Sequence, residues 1–312
     1  MEDYPRGLLA LERRFSDDEA CRAYLESLRW PDGFVCPRCG MREVWRTKRG
    51  LLLCRGCRHQ TSVTAGTIFQ GSRLPLALWF RAMWLVTSQK NGASALGVQR
   101  VLGLGSYQTA WAWLHKLRRA MVRPGRDALS GVVEVDETYL GGVRAGIPGR
   151  NVAGKALVLV AAEIADDCIG RIRLTKVTDA SAASLVPAVS SMVAAGSVVR
   201  TDGWAAYLSL AKQGYQHDIA RQSEDLGDDM LPNCHRVASL LKRWLLGTHH
   251  GAATRDHLPY YLDEFTFRFN RRTSSSRGKL FYRLAQQAVQ VGPVPYRQLI
   301  NHEMHGQVES SG

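Results

Sequence analysis

The sequence lacks any apolar run near the roughly 18 residues that a membrane-spanning helix requires, so no span is expected. It is short of acid: 28 Asp and Glu stand against 41 Lys and Arg, which leaves a formal net charge of +13. With a pI near 9.7, that imbalance favours a polyanionic partner held through phosphate contacts and counterion release. A soluble basic protein with no nucleic-acid role is the plainer alternative. Residues 1–30 contain neither an apolar core nor a small-residue cleavage site, which argues against a secretory leader and for a cytoplasmic, nucleoid-associated protein. The cysteine count is odd, at seven, and this argues against a disulfide framework. There is no internal repeat and no low-complexity tract, and 22% charged residues is too ordinary a share for wholesale disorder.

What is present is ordered along the chain. Residues 1–30 carry apolar positions at helical spacing (Leu8, Leu11, Phe15, then Tyr24, Leu25, Leu28) and end at a Pro31-Asp32-Gly33 turn. Residues 31–70 hold two cysteine pairs and two short strand-like runs around Lys48-Arg49-Gly50. Residues 71–122 read as helices, the last two broken at Gly103 to Gly105 with Ser106 as a cap, which is helix–turn–helix spacing. Trp79, Trp84, Trp111 and Trp113 in this stretch are read as core. After a linker at 123–129, three strand-like runs (132–136, 156–161, 171–175), a helix near 180–194 and a strand at 197–201 point to a mixed α/β layer. Residues 221–232 read as a polar, acidic loop, 234–246 and 259–270 as helices, and 291–312 as a C-terminal tail whose last dozen residues are expected to be disordered.

Cys36 and Cys39 form one CxxC pair, Cys54 and Cys57 the other, with 14 residues between them. Two such knuckles on a hairpin supply the four thiolates that tetrahedral Zn²⁺ takes. Four reduced cysteines packed as small hydrophobes is the competing reading, and His59 is a spare ligand. The module's excess of Arg and Lys points to DNA, although zinc ribbons also dock on proteins.

Asp136 ends an apolar strand and is followed by Glu137, and Asp202 ends another and is followed by Gly203-Trp204. An aspartate at a strand end is held rigidly, and two on neighbouring strands can share hard divalent cations. Taken singly, each aspartate reads more readily as a turn or helix-cap residue. Strand alternation turns Glu137 to the opposite face, so it is read as structural.

Val135-Asp136-Glu137-Thr138-Tyr139 with Gly141-Gly142, and Thr201-Asp202-Gly203-Trp204 with Tyr207, resemble the first two catalytic motifs of a bacterial insertion-sequence family. This is the ISXO2-like (IS1595, Merlin-related) family of DDE-type transposases. The ribbon, Thr64 to Phe69, and Tyr261 to Phe265 with Arg268, Asn270, Arg271 and Arg272 are similar to that family too. The resemblance implies a ribonuclease-H-like catalytic core over residues 131–290, behind the ribbon and the helical DNA-binding domain. It implies two-metal cleavage of transposon ends and strand transfer into target DNA, using Mg²⁺ or Mn²⁺. It also implies a homo-oligomer on the terminal inverted repeats. The family completes its site with Glu, Asn or His and then a Lys seven residues later. The match here is His235 and Lys242, with Asn233 as the fallback ligand.

Seven residues on a helix rise about 10 Å, so His235 and Lys242 cannot share one ligand atom. His235 is therefore assigned to the metal and Lys242 to a DNA phosphate, beside a basic run that includes Arg243, Arg268, Arg271 and Arg272. A surface histidine capping the helix is the alternative for His235. A DNA-binding regulator without catalysis, or a metal-dependent nuclease without strand transfer, are the alternatives for the whole chain.

Overall fold

A computed structural model describes residues 2–123, 125–141, 155–166, 168–220, 229–250 and 256–300. Gly142, Arg255, most of the expected acidic loop and the last twelve residues lie outside that range. Two compact units divide the chain: Met1–Arg123 with Thr273–Gly312, and Pro124–Arg272.

In the first unit, α1 (Leu8–Arg14) and α2 (Asp18–Arg29) precede a three-stranded antiparallel sheet of β1 (Val44–Arg46), β2 (Leu52–Cys54) and β3 (Gln60–Thr61). The Asp17 carboxylate caps α2 by accepting from the Ala20 N–H at 2.8 Å. Helices α3 (Leu76–Ser88), α4 (Ala95–Leu102) and α5 (Tyr107–Ala120) follow. Ser94 caps α4 and Ser106 caps α5, each through its hydroxyl, and α4 stops at Gly103 in the left-handed region. Trp79 and Trp113 are buried and stack at 4.0 Å between centroids, so both serve the core.

Helix α9 (Arg277–Ala288) and the short α10 (Tyr296–Ile300) also belong to the first unit. The second unit ends at Arg272, short of α9. The reason is apolar burial. Phe281 of α9 is fully buried and meets Phe80 at 5.6 Å, Phe15 at 6.0 Å and Trp84 at 6.1 Å.

The second unit is built on a five-stranded sheet of β4 (Val132–Leu140), β5 (Ala156–Ala165), β6 (Cys168–Val177), β7 (Val198–Thr201) and β8 (Gln216–Ile219). The spatial order is β6-β5-β4-β7-β8. The first three strands form an antiparallel meander, and β7 and β8 run parallel to β4. That order and mixture of directions is ribonuclease-H-like. β5 is buried almost throughout, as expected for a strand covered on both faces. One face packs on α6 (Ala182–Met192) and the 3₁₀ segment Ala205–Gln213, through Val133, Val135, Leu159, Leu185 and Tyr207. The other packs on α7 (Pro232–His249) and α8 (Leu258–Phe269), through Val158, Val160, Val237, Leu241 and Phe265. At the end of α8, the Asn270 amide donates to the Ile172 carbonyl at 3.0 Å and accepts from its N–H at 2.8 Å, pinning the helix to the edge strand β6.

Candidate active site and metal cluster

The ribbon cluster is made by two tight turns. In the first, the Gly40 N–H donates to the Cys36 carbonyl at 2.9 Å, and Gly40 takes φ +74°, a conformation that favours glycine. In the second, the Arg58 N–H donates to the Cys54 carbonyl at 3.1 Å. The turns bring all four sulfur atoms within 4.8 Å of one another, with Cys36 Sγ 3.6 Å from Cys57 Sγ and Cys39 Sγ 3.5 Å from Cys54 Sγ. A Zn–S bond of about 2.3 Å in a regular tetrahedron demands sulfur separations of about 3.8 Å, so the cluster fits a structural Zn²⁺. His59 stands outside this set.

The second site forms where β4, β7 and α7 meet. The parallel ladder pairs Glu134 with Arg200, and two residues further along both strands come Asp136 and Asp202. The register thus sets the two carboxylates side by side at the end of β7. Asp202 is exposed, and one of its oxygens accepts from the Trp204 N–H at 2.9 Å. The bend between them needs Gly203: φ is +83°, and a Cβ there would lie 2.7 Å from Ile219 Cγ2. Asp136 is mostly buried, and burial pushes its carboxyl above the usual range. The Glu137 N–H and His235 oppose that shift, while the charge of Asp202 adds to it.

Glu137 falls on the other face of β4, where the Tyr207 hydroxyl donates to it. Burial raises its carboxyl too, the Tyr207 hydrogen bond opposes the shift, and Asp136 and Asp202 reinforce it. Burial and the Glu137 charge likewise push the Tyr207 phenol well above its ordinary value.

His235, on the first turn of α7, places Nε2 at 3.2 Å from Asp136 Oδ2. Asn233 is engaged differently. Its side-chain amide donates to Glu134 Oε1 at 2.7 Å, and the main-chain N–H groups of Asn233 and Cys234 donate to Glu134 Oε2 at 2.9 and 3.0 Å. Glu134 is only 1% exposed. α7 opens at Leu231 without a side-chain cap of its own. A carboxylate from the neighbouring strand therefore meets the orphan N–H groups and the positive end of the helix dipole. Nothing in the local sequence announces this partner, which lies about a hundred residues upstream.

Asp136, Asp202 and His235 are neighbours but not a closed cage. Among the described residues, the cysteines form the one set of three or more His, Cys, Asp or Glu side chains drawn together to metal-holding distance. An open arrangement suits Mg²⁺ or Mn²⁺, which keep several waters and take oxygens from substrate phosphates. The donor set of two carboxylates and an imidazole is chemically competent for either ion.

Lys242 and Arg243 are exposed on α7, two turns beyond His235. Arg271 stacks on Phe267 with its guanidinium carbon 4.0 Å from the ring centre, and Arg272 stacks on Phe269 at 4.1 Å. Arg272 also donates to the carbonyls of Gly170, Ile169 and Phe269. Arg272 thereby helps fasten α8 to β6, and Arg268 is half-buried on the same helix.

Two family models match the chain. An ISXO2-like transposase domain matches residues 128–270, and a transposase zinc-ribbon domain matches residues 16–60. A relative in Halobacterium salinarum, described as an uncharacterised protein in transposable element ISH50, is 25% identical over 279 residues. That match covers 82% of this chain and 92% of the relative. No helix among the described residues is long and apolar enough to cross a membrane. With the ribbon built around four convergent cysteines and a ribonuclease-H-like sheet behind it, the chain carries an ISXO2-like transposase domain preceded by a transposase zinc ribbon.

Proposed function

We propose that this protein is a DNA transposase that cuts the ends of its element and joins them to target DNA by metal-dependent phosphoryl transfer. The observation that carries the reading is the parallel register of β4 and β7, which sets Asp136 beside Asp202 with His235 3.2 Å from the former. In this reading those three side chains hold the divalent ions. When bound, such ions activate an attacking oxygen and stabilise the leaving one. The chain's own part is positional. The middle of β4 and the end of β7 fix the two carboxylates, α7 brings the imidazole, and Lys242 and Arg243 neutralise flanking phosphates. Arg268, Arg271 and Arg272 extend the basic surface from the end of α8. No serine or tyrosine nucleophile is required, and a homo-oligomer bridging the two terminal repeats is part of the proposal.

The test is a cleavage and joining assay on DNA carrying the element's ends. Asp136→Asn removes a ligand charge worth several kcal/mol in the transition state, so cleavage should fall by at least about a thousandfold while DNA binding persists. Unchanged cleavage would refute the reading. Failure to join pre-cut ends would reduce the activity to that of a nuclease. Because an imidazole suits Mn²⁺ better than Mg²⁺, cleavage in Mn²⁺ should equal or exceed that in Mg²⁺. Activity in Mg²⁺ alone would count against His235 as a direct ligand.

A further inference from the structure

The imidazole of His235 lies between two carboxylates. Its Nε2 faces Asp136 at 3.2 Å, and its Nδ1 lies 2.5 Å from Oδ1 of Asp229. The same Asp229 oxygen accepts from the Leu231 N–H at 3.2 Å, which fixes that carboxylate to the turn entering α7. Asp229 comes from the polar stretch before the helix, and neither the metal reading nor the phosphate reading uses it.

A neutral imidazole carries one N–H and one lone pair, and the partner of one nitrogen decides which nitrogen has which. An ionised carboxylate can only accept, so Asp229 and Asp136 compete for the single N–H of a neutral ring, and Asp229, at 2.5 Å against 3.2 Å, holds the proton on Nδ1. That leaves the lone pair on Nε2, the nitrogen turned toward Asp136. A ligand histidine needs just this arrangement, a carboxylate behind the ring that sets its tautomer and stops its rotation. The contact matters here because His235 is exposed, with half of its side chain open to solvent, so packing alone does not hold its χ angles.

The geometry points to Asp229 as a positioning residue. It is not itself a ligand, but it orients His235 so that Nε2 is presented to the cation shared with Asp136. This inference rests on the metal-site reading above. The opposing view is that Asp229 only caps the turn at Leu231 and that its contact with the ring is incidental.

The experiment uses the full-length, zinc-loaded protein with ¹⁵N-labelled histidine, at mildly alkaline pH and before any divalent ion is added. His235→Gln assigns the resonance. Wild type should show a protonated Nδ1 and an unprotonated Nε2. In Asp229→Ala that preference should be lost. Asp229→Ser keeps a short acceptor for the Leu231 N–H but cannot reach the ring, and it should behave like Asp229→Ala. Asp229→Asn retains an acceptor oxygen and should restore much of the preference. Mn²⁺ is then titrated and followed by its paramagnetic resonance signal. Affinity should fall roughly 10- to 100-fold in the Ala and Ser variants, with Asn between them and wild type. An unchanged tautomer in Asp229→Ala overturns the proposal whether or not the protein cleaves DNA. A shifted tautomer with unchanged Mn²⁺ affinity overturns it as well. The cleavage assay on Asp136→Asn separately judges the metal-site reading.

Discussion

The cysteine cluster and the acidic site each gather a few polar side chains, but they are assembled by opposite routes. All four cysteines fall within 22 residues, on one small sheet, and their sulfurs already stand near the spacing of a tetrahedron. Asp136, Asp202 and His235 span a hundred residues, come from two strands and a helix, and stay open on one side. A closed set of soft ligands is suited to a permanent ion that folds its module. An open set of hard ligands leaves coordination positions for water and substrate. The same contrast separates what supports each site. Turn geometry suffices for the ribbon, whereas the acidic site depends on sheet register and on a buried carboxylate that holds a helix by its end.

The sharpest way to break this comparison is to remove the zinc. Structural zinc in small modules supplies an apparent ~10–16 kcal/mol, so Cys54→Ser or a chelator should unfold the ribbon outright. Amide resonances of residues 34–61 should collapse while those of β4 and β5 persist. Ribbon signals indifferent to the chelator would show that the module folds on its apolar contacts alone.

A smaller effect is expected at Glu134. Glu134→Ala leaves two helix-end N–H groups buried without an acceptor, which should cost roughly 2–5 kcal/mol in urea unfolding. His235 should lose its place beside Asp136, with weaker Mn²⁺ binding as the second readout. A loss below about 1 kcal/mol would mean that water or the neighbouring chain replaces the carboxylate with little penalty.

The smallest effect should come from Lys242→Ala. Lys242 is exposed, so stability should not change, and DNA affinity should weaken evenly across sequences. The slope of log affinity against log salt should drop by about 1. A sequence-dependent loss would instead make Lys242 a base-reading residue.

The ribbon was legible from spacing alone, because every ligand lies close in sequence to its partners and each turn needs only a few residues. Strands β4 to β7 and helices α7 and α8 could be read from apolar periodicity. β8 could not: Gln216-His217-Asp218-Ile219 is nearly all polar and becomes a strand through pairing with β7. Helix α9 was missed as an element. Arg277 to Ala288 reads as basic surface, and its allegiance to the first unit depends on Phe281 finding partners about two hundred residues away. In the acidic site, Asp202 had a strand end to mark it, whereas Asp136, read as a strand end, lies in the middle of β4, whose pairing with β5 carries on to Leu140. Glu134 and Asp229 had no such signal, because each acts on a group that only tertiary folding brings near.

The Glu134 clamp has a consequence for how such a site can change over time. Two of its three grips are on main-chain N–H groups, which every residue but proline possesses, and none is on the side chain at 235. The helix is therefore seated without reference to the side chain it presents at position 235. An imidazole, an amide or a carboxylate can occupy position 235 while the mount stays where it is. If the proposed metal site holds, its metal preference is free to drift one substitution at a time, with no intermediate that has to refold.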